Sequence, residues 1–320
     1  MNTKNDNLLR LWYDKPAEDW QAQALAIGNG YMGALVFGGV NNDKIHINEK
    51  TVWEGGPGGN INYNYGITNP IDTEEDLQKI KDNLNAIREK LEDKSQYVFG
   101  FDENSYQASG TDTKGEAMDE LNKLMGDLTG YEAPTDYANL YISNDQDASR
   151  VSNYVRDLDM RTAVATVNYD YEGVHYTREY FNSYPNNIMA IRLSTDANGK
   201  ISIKANLENL IGGSAYTNTI DGDTITMCDA LSGNGLKAEA QLKVINEGGS
   251  LSVSENNGTP AIRVSDANAV ILLFACGTDY KMELPDFRGE DPHAAVTNRI
   301  HAAAQKGYEA LKAAHTADHA

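Results

Sequence analysis

The sequence contains few cysteines and no recognisable metal-binding motif, which excludes two classes of protein. Its two cysteines, Cys228 and Cys276, are too few for the disulfide framework of a small secreted domain. Each lies in or near an apolar run, so we predict buried free thiols rather than metal ligands. The six histidines show no ligand spacing with these cysteines. We therefore predict neither a metal site nor a cofactor.

Basic residues and long apolar runs are also scarce. The chain has 27 Lys and Arg against 47 Asp and Glu, a formal net charge of −20. This balance argues against a nucleic-acid partner, because phosphate binding needs clustered cations. No run reaches the roughly 18 apolar residues that a membrane span needs, so we expect no membrane partner.

Targeting and catalytic motifs are missing as well. The N-terminus, MNTKNDNLL, has no hydrophobic core of a signal peptide. Either the protein is cytosolic or a native signal has been removed; of the two, we favour an extracellular or cell-surface location. There is no G-x-S-x-G elbow and no P-loop, so the sequence offers no self-contained catalytic constellation.

The stretch from Leu25 to Gly59 organises the chain. It contains GNGYMG, which fits the dinucleotide fingerprint G-x-G-x-x-G. That fingerprint must open a helix, whereas here a strand follows, so we reject a nucleotide site. The apolar run 34–37 and the alternating run 44–48 flank the sequence GGVNND, which predicts a β-hairpin. A glycine-rich loop, Trp53–Gly59, follows it.

Most of the remaining chain has the pattern of short antiparallel strands. A helical insertion is predicted at about 73–128, from an apolar face between Leu77 and Leu91 and a second segment at about 114–128. Thr73 and Asp76 resemble a capping box. Beyond residue 138 the pattern predicts more than ten short strands, which indicates packed antiparallel sheets. They are expected at 139–142, 151–159, 162–171, 174–183, 187–195, 200–207, 223–228, 236–245, 250–253, 261–264 and 269–275.

The last residues differ in composition from the strand-rich part. Residues 286–292, DFRGEDP, are predicted to form a charged linker. An alanine-rich helix is then predicted from His293 to Ala314, with an apolar side formed by Val296, Ile300 and Leu311. Burying such side chains contributes roughly 1.5–3 kcal/mol each. If this apolar side were exposed to solvent, the helix would tend to fray, to dimerise or to dock back on the sheets.

Three segments carry a resemblance to a known family. They are ALAIGNGYMGALVFGGV with INEKTVWEGGPGG, then VRDLDMRTAVATVNYDYEGVHYTREYFNSYPNNIMAIRLSTD, and CGTDYKMELPDFRGEDP. They resemble the N-terminal part of glycoside hydrolase family 95, the α-L-fucosidases, and the match covers nearly all of the chain. The resemblance implies a mainly β fold, a large antiparallel β-supersandwich over 1–285 with the helical insertion. Residues 286–320 would begin a helical linker to an (α/α)6 catalytic barrel that this chain lacks.

The resemblance also implies a function. The parent protein would hydrolyse terminal α-linked fucose from glycans by an inverting mechanism, and this chain would support the barrel, its partner within the same protein. Two alternatives remain open: a stand-alone carbohydrate-binding β-sandwich, and a purely structural domain without sugar contact. In the family the activating groups belong to the barrel, so we predict no catalytic residue here and no turnover by this chain alone.

Candidate site residues lie in and after the glycine-rich loop. Trp53, Tyr63 and Tyr65 are predicted to bind substrate by stacking on sugar rings. We expect Trp53 to anchor a loop that faces the barrel and borders the substrate entrance. Glu49 is the one carboxylate that stands out, and we interpret it as an acceptor of backbone N–H bonds that hold the loop.

Overall fold

The structure is a computed structural model, and it describes residues 9–55, 73–92, 100–101, 108–109, 119–121, 131–213, 215–283 and 286–320. The chain divides into two compact units. The first comprises Met1–Glu54 with Ala133–Ala320, and the second comprises Gly55–Glu132. The domain boundary predicted between residues 285 and 286 stays a prediction, because the division into these two units does not test it.

The described residues are mainly β-strands. In chain order they are β1 Arg10–Tyr13, β2 Leu25–Gly28, β3 Met32–Val36, β4 Asn42–Glu49, β5 Trp53–Gly55, β6 Gly100–Phe101, β7 Ala108–Ser109, β8 Tyr131–Pro134, β9 Ala138–Ser143, β10 Ser152–Asp159, β11 Val164–Tyr171, β12 Val174–Ser183, β13 Ile188–Thr195, β14 Ile201–Asn209, β15 Thr217–Asp221, β16 Thr224–Ala230, β17 Lys237–Glu247, β18 Ser250–Asn256, β19 Thr259–Ala267 and β20 Ala269–Thr278. The helices are α1 Glu74–Glu92, α2 His293–Lys306 and α3 Tyr308–His319, with a 3-10 turn at Ala148–Arg150.

Two antiparallel sheets form the first unit. One has nine strands in the order β1-β10-β11-β12-β13-β20-β17-β16-β15, and the other has seven in the order β18-β19-β14-β9-β4-β3-β2. The predicted hairpin is confirmed, since β3 pairs with β4 in the register Val36↔Ile45. The glycines of GNGYMG lie at the β2–β3 hairpin, with Gly28 opposite Gly33, so they open no helix.

The core lies between the two sheets, because side chains of one strand alternate between its faces. In β4, Ile45 and Ile47 point inward and are fully buried. They belong to the same apolar cluster as Leu272 and Phe274 of the facing sheet. The predicted β-supersandwich is therefore confirmed.

An ion pair is buried between the sheets at the β3–β4 turn. Asp43 accepts hydrogen bonds from the backbone N–H groups of Gly38, at 2.8 Å, and Gly39, at 3.1 Å. Arg178 of β12 lies 3.4 Å from the same carboxylate and donates to the carbonyl of Val40 at 2.6 Å. Both side chains are almost fully buried, and the Tyr180 hydroxyl also donates to Asp43. The GGVNND turn is thus fixed from the opposite sheet.

Helices α2 and α3 cover the outer face of the nine-stranded sheet. Val296, Ile300 and Leu311, the predicted apolar side, are buried there against side chains that include Phe181 and Leu273. Of the three outcomes expected for this side, the structure shows docking on the sandwich. It also explains why β20 is apolar along almost its whole length, since its two faces are covered by the core and by the helices.

The prediction of a single C-terminal helix over residues 293–314 is wrong in one respect. Gly307 separates α2 from α3, and its φ of 78° lies in a region that favours glycine. The Gly307 N–H still donates to the carbonyl of Ala303 at 3.1 Å. The helical hydrogen bonding therefore reaches Gly307, whose ψ of 156° ends α2 before α3 begins at Tyr308.

In the second unit, helix α1 begins as predicted. The Asp76 N–H donates to Thr73 Oγ1 at 3.1 Å, and the Thr73 N–H donates to Asp76 Oδ2 at 3.2 Å, a reciprocal capping box. Strands β6 and β7 form a two-residue ladder. Of the second predicted helical segment, only residues 119–121 are described, and they are helical. No helix in the described part of the chain is long and apolar enough to cross a membrane.

Candidate functional site

The predicted site residue Trp53 lies where three segments of the first unit meet. We call this place the Trp53 edge and define it as residues 49–54, residues 231–239 and the described parts of a third segment, 278–283 and 286–293. The segments follow β4, precede β17 and follow β20, so each is a connection at the end of a core strand. Connections positioned by a rigid scaffold are common places for function.

Glu49 closes the turn that carries Trp53. Its Oε2 accepts hydrogen bonds from the backbone N–H of Thr51, at 2.7 Å, and from the Thr51 hydroxyl, at 2.6 Å. The expected role as an acceptor of backbone N–H bonds is confirmed. Burial raises the pKa of Glu49 above its ordinary value, while the bonds from Thr51 oppose that rise.

Trp53 presents its ring at the surface while its polar atoms are bound. The indole Nε1–H donates to the carbonyl of Lys50 at 2.9 Å, and the side chain is 45% exposed. The Trp53 carbonyl accepts a hydrogen bond from the side-chain amide of Asn234 at 2.8 Å. An exposed ring with a fixed polar atom can serve as a contact surface at little further cost in entropy.

Asn234 also connects to the third segment. Its carbonyl accepts a hydrogen bond from Arg288 Nη2 at 2.8 Å. Arg288 lies 3.8 Å from the carboxylate of Asp279, which in turn accepts the N–H of Lys237 at 3.0 Å. Hydrogen bonds and one charge pair therefore join the three connections.

A polar cluster marks the start of helix α2 at the same edge. Both carboxylate oxygens of Glu239 lie 3.0 Å from His293 Nδ1. Gln241 Nε2 donates to Glu239 Oε1 and to Thr297 Oγ1, each at 2.7 Å. The thiol of Cys228 also donates to Glu239, at 3.4 Å. The cluster attaches the helix to strand β17.

Glycoside hydrolysis ordinarily needs two carboxyl groups that flank the scissile bond. At the Trp53 edge the carboxylates of Glu49, Glu239 and Asp279 are each engaged in hydrogen bonds within the protein. This arrangement suits the fixing of loops. Within the described ranges, no three His, Cys, Asp or Glu residues are grouped so that they could hold a metal ion.

The two cysteines are free thiols, as predicted. Cys276 is buried and Cys228 is half-buried, and burial raises the pKa of both thiols, that of Cys228 to about 11. Near them, the hydroxyl of the fully buried Tyr137 has no hydrogen-bond partner among the described residues. These groups are therefore poor nucleophiles.

The structure brings only part of the predicted site together. Tyr63 and Tyr65 lie outside the described residues, as do residues 56–59 of the glycine-rich loop. Asn234 and Arg288 were not singled out from the sequence. A signal was present for Arg288, because it lies in the segment CGTDYKMELPDFRGEDP that carries the resemblance.

Comparison with known proteins identifies the family to which the chain belongs. Residues 11–283 match the family described as glycosyl hydrolase family 65, N-terminal domain. The chain is therefore an N-terminal domain of the glycoside hydrolase kind. It belongs to that family of glycosyl hydrolase family 65 N-terminal domains.

Curated relatives are named as fucosidases. The chain is 26% identical to "Alpha-L-fucosidase 2" of Arabidopsis thaliana over 337 residues, which cover 97% of this chain and 35% of the relative. It is 26% identical to "Probable alpha-fucosidase A" of Aspergillus niger, with 97% and 36% covered. These relatives confirm the resemblance to an α-L-fucosidase N-terminal part. The matching family model is described as glycosyl hydrolase family 65 and not as family 95. The chain thus spans about a third of the length of these relatives.

A solved structure shares the fold. A human-microbiome protein assigned as a kojibiose phosphorylase superposes with a TM-score of 0.54 at 8% identity, covering 97% of this chain and 37% of that one. At so low an identity the likeness supports the fold alone.

Proposed function

We propose that the chain is the N-terminal domain of an α-L-fucosidase of glycoside hydrolase family 95, which removes terminal α-linked fucose from glycans by inversion. The observation that carries the proposal is the match of 97% of the chain to relatives named as fucosidases. The domain supports a C-terminal (α/α)6 catalytic barrel and supplies no catalytic residue. Its partner is that barrel, and a fucosylated glycan is the substrate of the whole enzyme.

The Trp53 edge supports a positioning role in this proposal. Its carboxylates hold loops, and Trp53 offers an exposed ring at the end of the sandwich. We place this edge toward the barrel, with Trp53 at the border of the substrate entrance. Helix α2 starts at the same edge, where the chain leaves the sheets.

The test compares two proteins on 2′-fucosyllactose. The 320-residue chain should release no fucose, and the protein that continues into the barrel should release it, with the β-anomer seen first by NMR as inversion requires. Turnover by the chain alone at the rate of the longer protein would overturn the placement of the active site. Initial release of the α-anomer would overturn inversion.

The gene itself provides a simpler test. A reading frame that continues beyond Ala320 into a helical-barrel sequence is expected. A frame that stops there would favour the stand-alone carbohydrate-binding sandwich instead. The proposed substrate also implies action outside the cell or at its surface, which fractionation followed by immunodetection would check.

A further inference from the structure

We propose that the outer face of the seven-stranded sheet carries a binding groove for a neutral saccharide, separate from the Trp53 edge. The groove, which we call the sheet-face groove, has a volume of about 590 Å³. That volume lies within the range of small-molecule sites, roughly 300–1,000 Å³. It is lined by residues of the first unit alone, so it does not depend on the proposed function.

The depression arises because small residues occupy the edge of the sheet. Ala26 lies opposite Leu35, and Gly33 lies opposite Asn48. A Cβ atom built on Gly33 would meet no atom within 4 Å, so the space above this glycine is open. Large side chains at these positions would remove the groove without entering the core.

One wall of the groove is a fixed aromatic turn. Trp20 lines the groove and is 56% exposed. Its turn is held on both sides: Asp19 Oδ1 accepts the N–H of Ala22 at 2.7 Å, and Gln23 Oε1 accepts the N–H of Glu18 at 2.7 Å. A tryptophan on a fixed turn can pack against the apolar C–H face of a sugar at little entropic cost.

His46 and Asp136 also line the groove, and His46 belongs to a polar row that crosses strands β4, β9 and β14. His46 Nδ1 lies 2.9 Å from Asn139 Oδ1, and His46 Nε2 lies 3.3 Å from Asp136 Oδ1. Asn139 Nδ2 donates to Glu208 Oε2 at 2.7 Å, and this fixes the orientation of its amide. The Tyr141 hydroxyl donates to the same oxygen at 2.9 Å. The row is therefore rigid before any ligand binds.

Exposed polar side chains also line the groove. The exposed side chain of Asn48 lines it and makes no hydrogen bond to a described residue. Asp136 lines it with a side chain that is 62% exposed. The amide can donate to and accept from the hydroxyl groups of a sugar, and the carboxylate can accept from them, in the pattern that orients such ligands.

The charged side chains that line the groove favour some classes of ligand over others. Glu18, Asp19 and Asp136 line the groove against one lysine, Lys44, whose ammonium lies 5.1 Å from the Phe37 ring centre. This acidic excess disfavours phosphates, uronic acids and nucleic acids, which need positive groups. The exposed indole of Trp20 together with the polar groups of His46, Asn48 and Asp136 favours a neutral saccharide.

The experiment measures binding of defined probes to the 320-residue chain by saturation-transfer NMR and calorimetry. The neutral probes are 2′-fucosyllactose, lactose and cellotetraose; trigalacturonate and chitotriosamine serve as anionic and cationic probes. At least one neutral probe should bind. Gly33→Phe, which fills the groove, and Trp20→Ala should each weaken its binding by about tenfold or more, equal to 1.4 kcal/mol.

The control is Trp12→Ala, an exposed tryptophan on strand β1 of the other sheet, which should leave the affinity unchanged. Circular dichroism and thermal melting check that each variant is folded, and Asn48→Ala replaces any variant that is not. Failure of every neutral probe, binding of the cationic probe alone, or equal affinities in wild type and the groove variants would overturn the proposal.

Discussion

The side-chain amide of Asn234 donates a hydrogen bond of 2.8 Å to the backbone carbonyl of Trp53, and so joins two loops 181 positions apart in the sequence. This bond fixes the backbone beneath the exposed indole ring. Its neighbours Arg288 and Asp279 extend the connection to the segment that follows β20. The position of Trp53 is therefore set by long-range contacts as well as by the turn that carries it.

In the longer protein that includes the barrel, Trp53→Ala should impair turnover or substrate binding more than Trp12→Ala does. Both tryptophans are exposed, but only Trp53 lies at the edge proposed to border the substrate entrance. Steady-state kinetics of the two variants at matched thermal stability provide the measurement. Equal losses would place Trp53 away from the substrate.

Two glycines of the β3–β4 hairpin, Gly33 and Gly39, should respond differently to alanine. A Cβ on Gly39 would lie 2.2 Å from the Asn42 carbonyl oxygen, so Gly39→Ala should destabilise the fold by about 1–3 kcal/mol. Gly33→Ala meets open space in a strand and should be neutral or stabilising by up to about 1 kcal/mol. Urea unfolding of both variants makes the comparison, and a reversed order would contradict the hairpin geometry.

Breaking the buried pair of Asp43 and Arg178 should be costly. Arg178→Met or Asp43→Asn leaves a partner buried without its counter-charge, which typically costs about 3–5 kcal/mol. The double variant should lose less than the sum of the two single losses, because the groups interact directly. Glu75→Gln, in an exposed pair with Lys79, is the matched control and should change nothing measurable. Additive losses in chemical denaturation would show that the two groups act independently.

His315 should make the docking of helix α3 sensitive to acid. Burial lowers its pKa from the ordinary value of 6.5, and its ring stacks on Phe181 at 4.9 Å. The unfolded chain therefore binds the proton more readily, so stability falls as the pH drops below 6.5 toward the lower folded pKa. The neighbouring groups are His319, which adds to this shift, and Asp318, which opposes it.

Thermal melting between about pH 7 and pH 5 measures the effect. His315→Leu should flatten the loss of stability across this window, whereas the same change at the exposed His301 should not. An unchanged slope in His315→Leu would show that another group controls the response.

Local patterns in the sequence were enough to predict several elements. The alternation in Lys44–Asn48 predicted a strand with one buried face, and Thr73 with Asp76 predicted the start of α1; both are confirmed. The break at Gly307 was not predicted, since the alanine-rich pattern runs across it and one glycine costs a helix only about 1 kcal/mol.

The candidate sites were less accessible to prediction. The bond from Asn234 to Trp53 depends on the packing order of the strands, which no local pattern reveals. The sheet-face groove depends on Ala26 and Gly33, two residues whose importance comes from the side chains they lack. The sequence does not show that the ring of Trp20 stays exposed.

The docking of α2 and α3 on the nine-stranded sheet affects how this protein can be handled. A protein cut at residue 285 would expose Phe181, Ile188 and Leu273 on one continuous face. Exposed apolar patches larger than a few hundred Å² promote aggregation. Removal of residues 286–320 should therefore yield insoluble material, because these residues cover an apolar face of the sandwich.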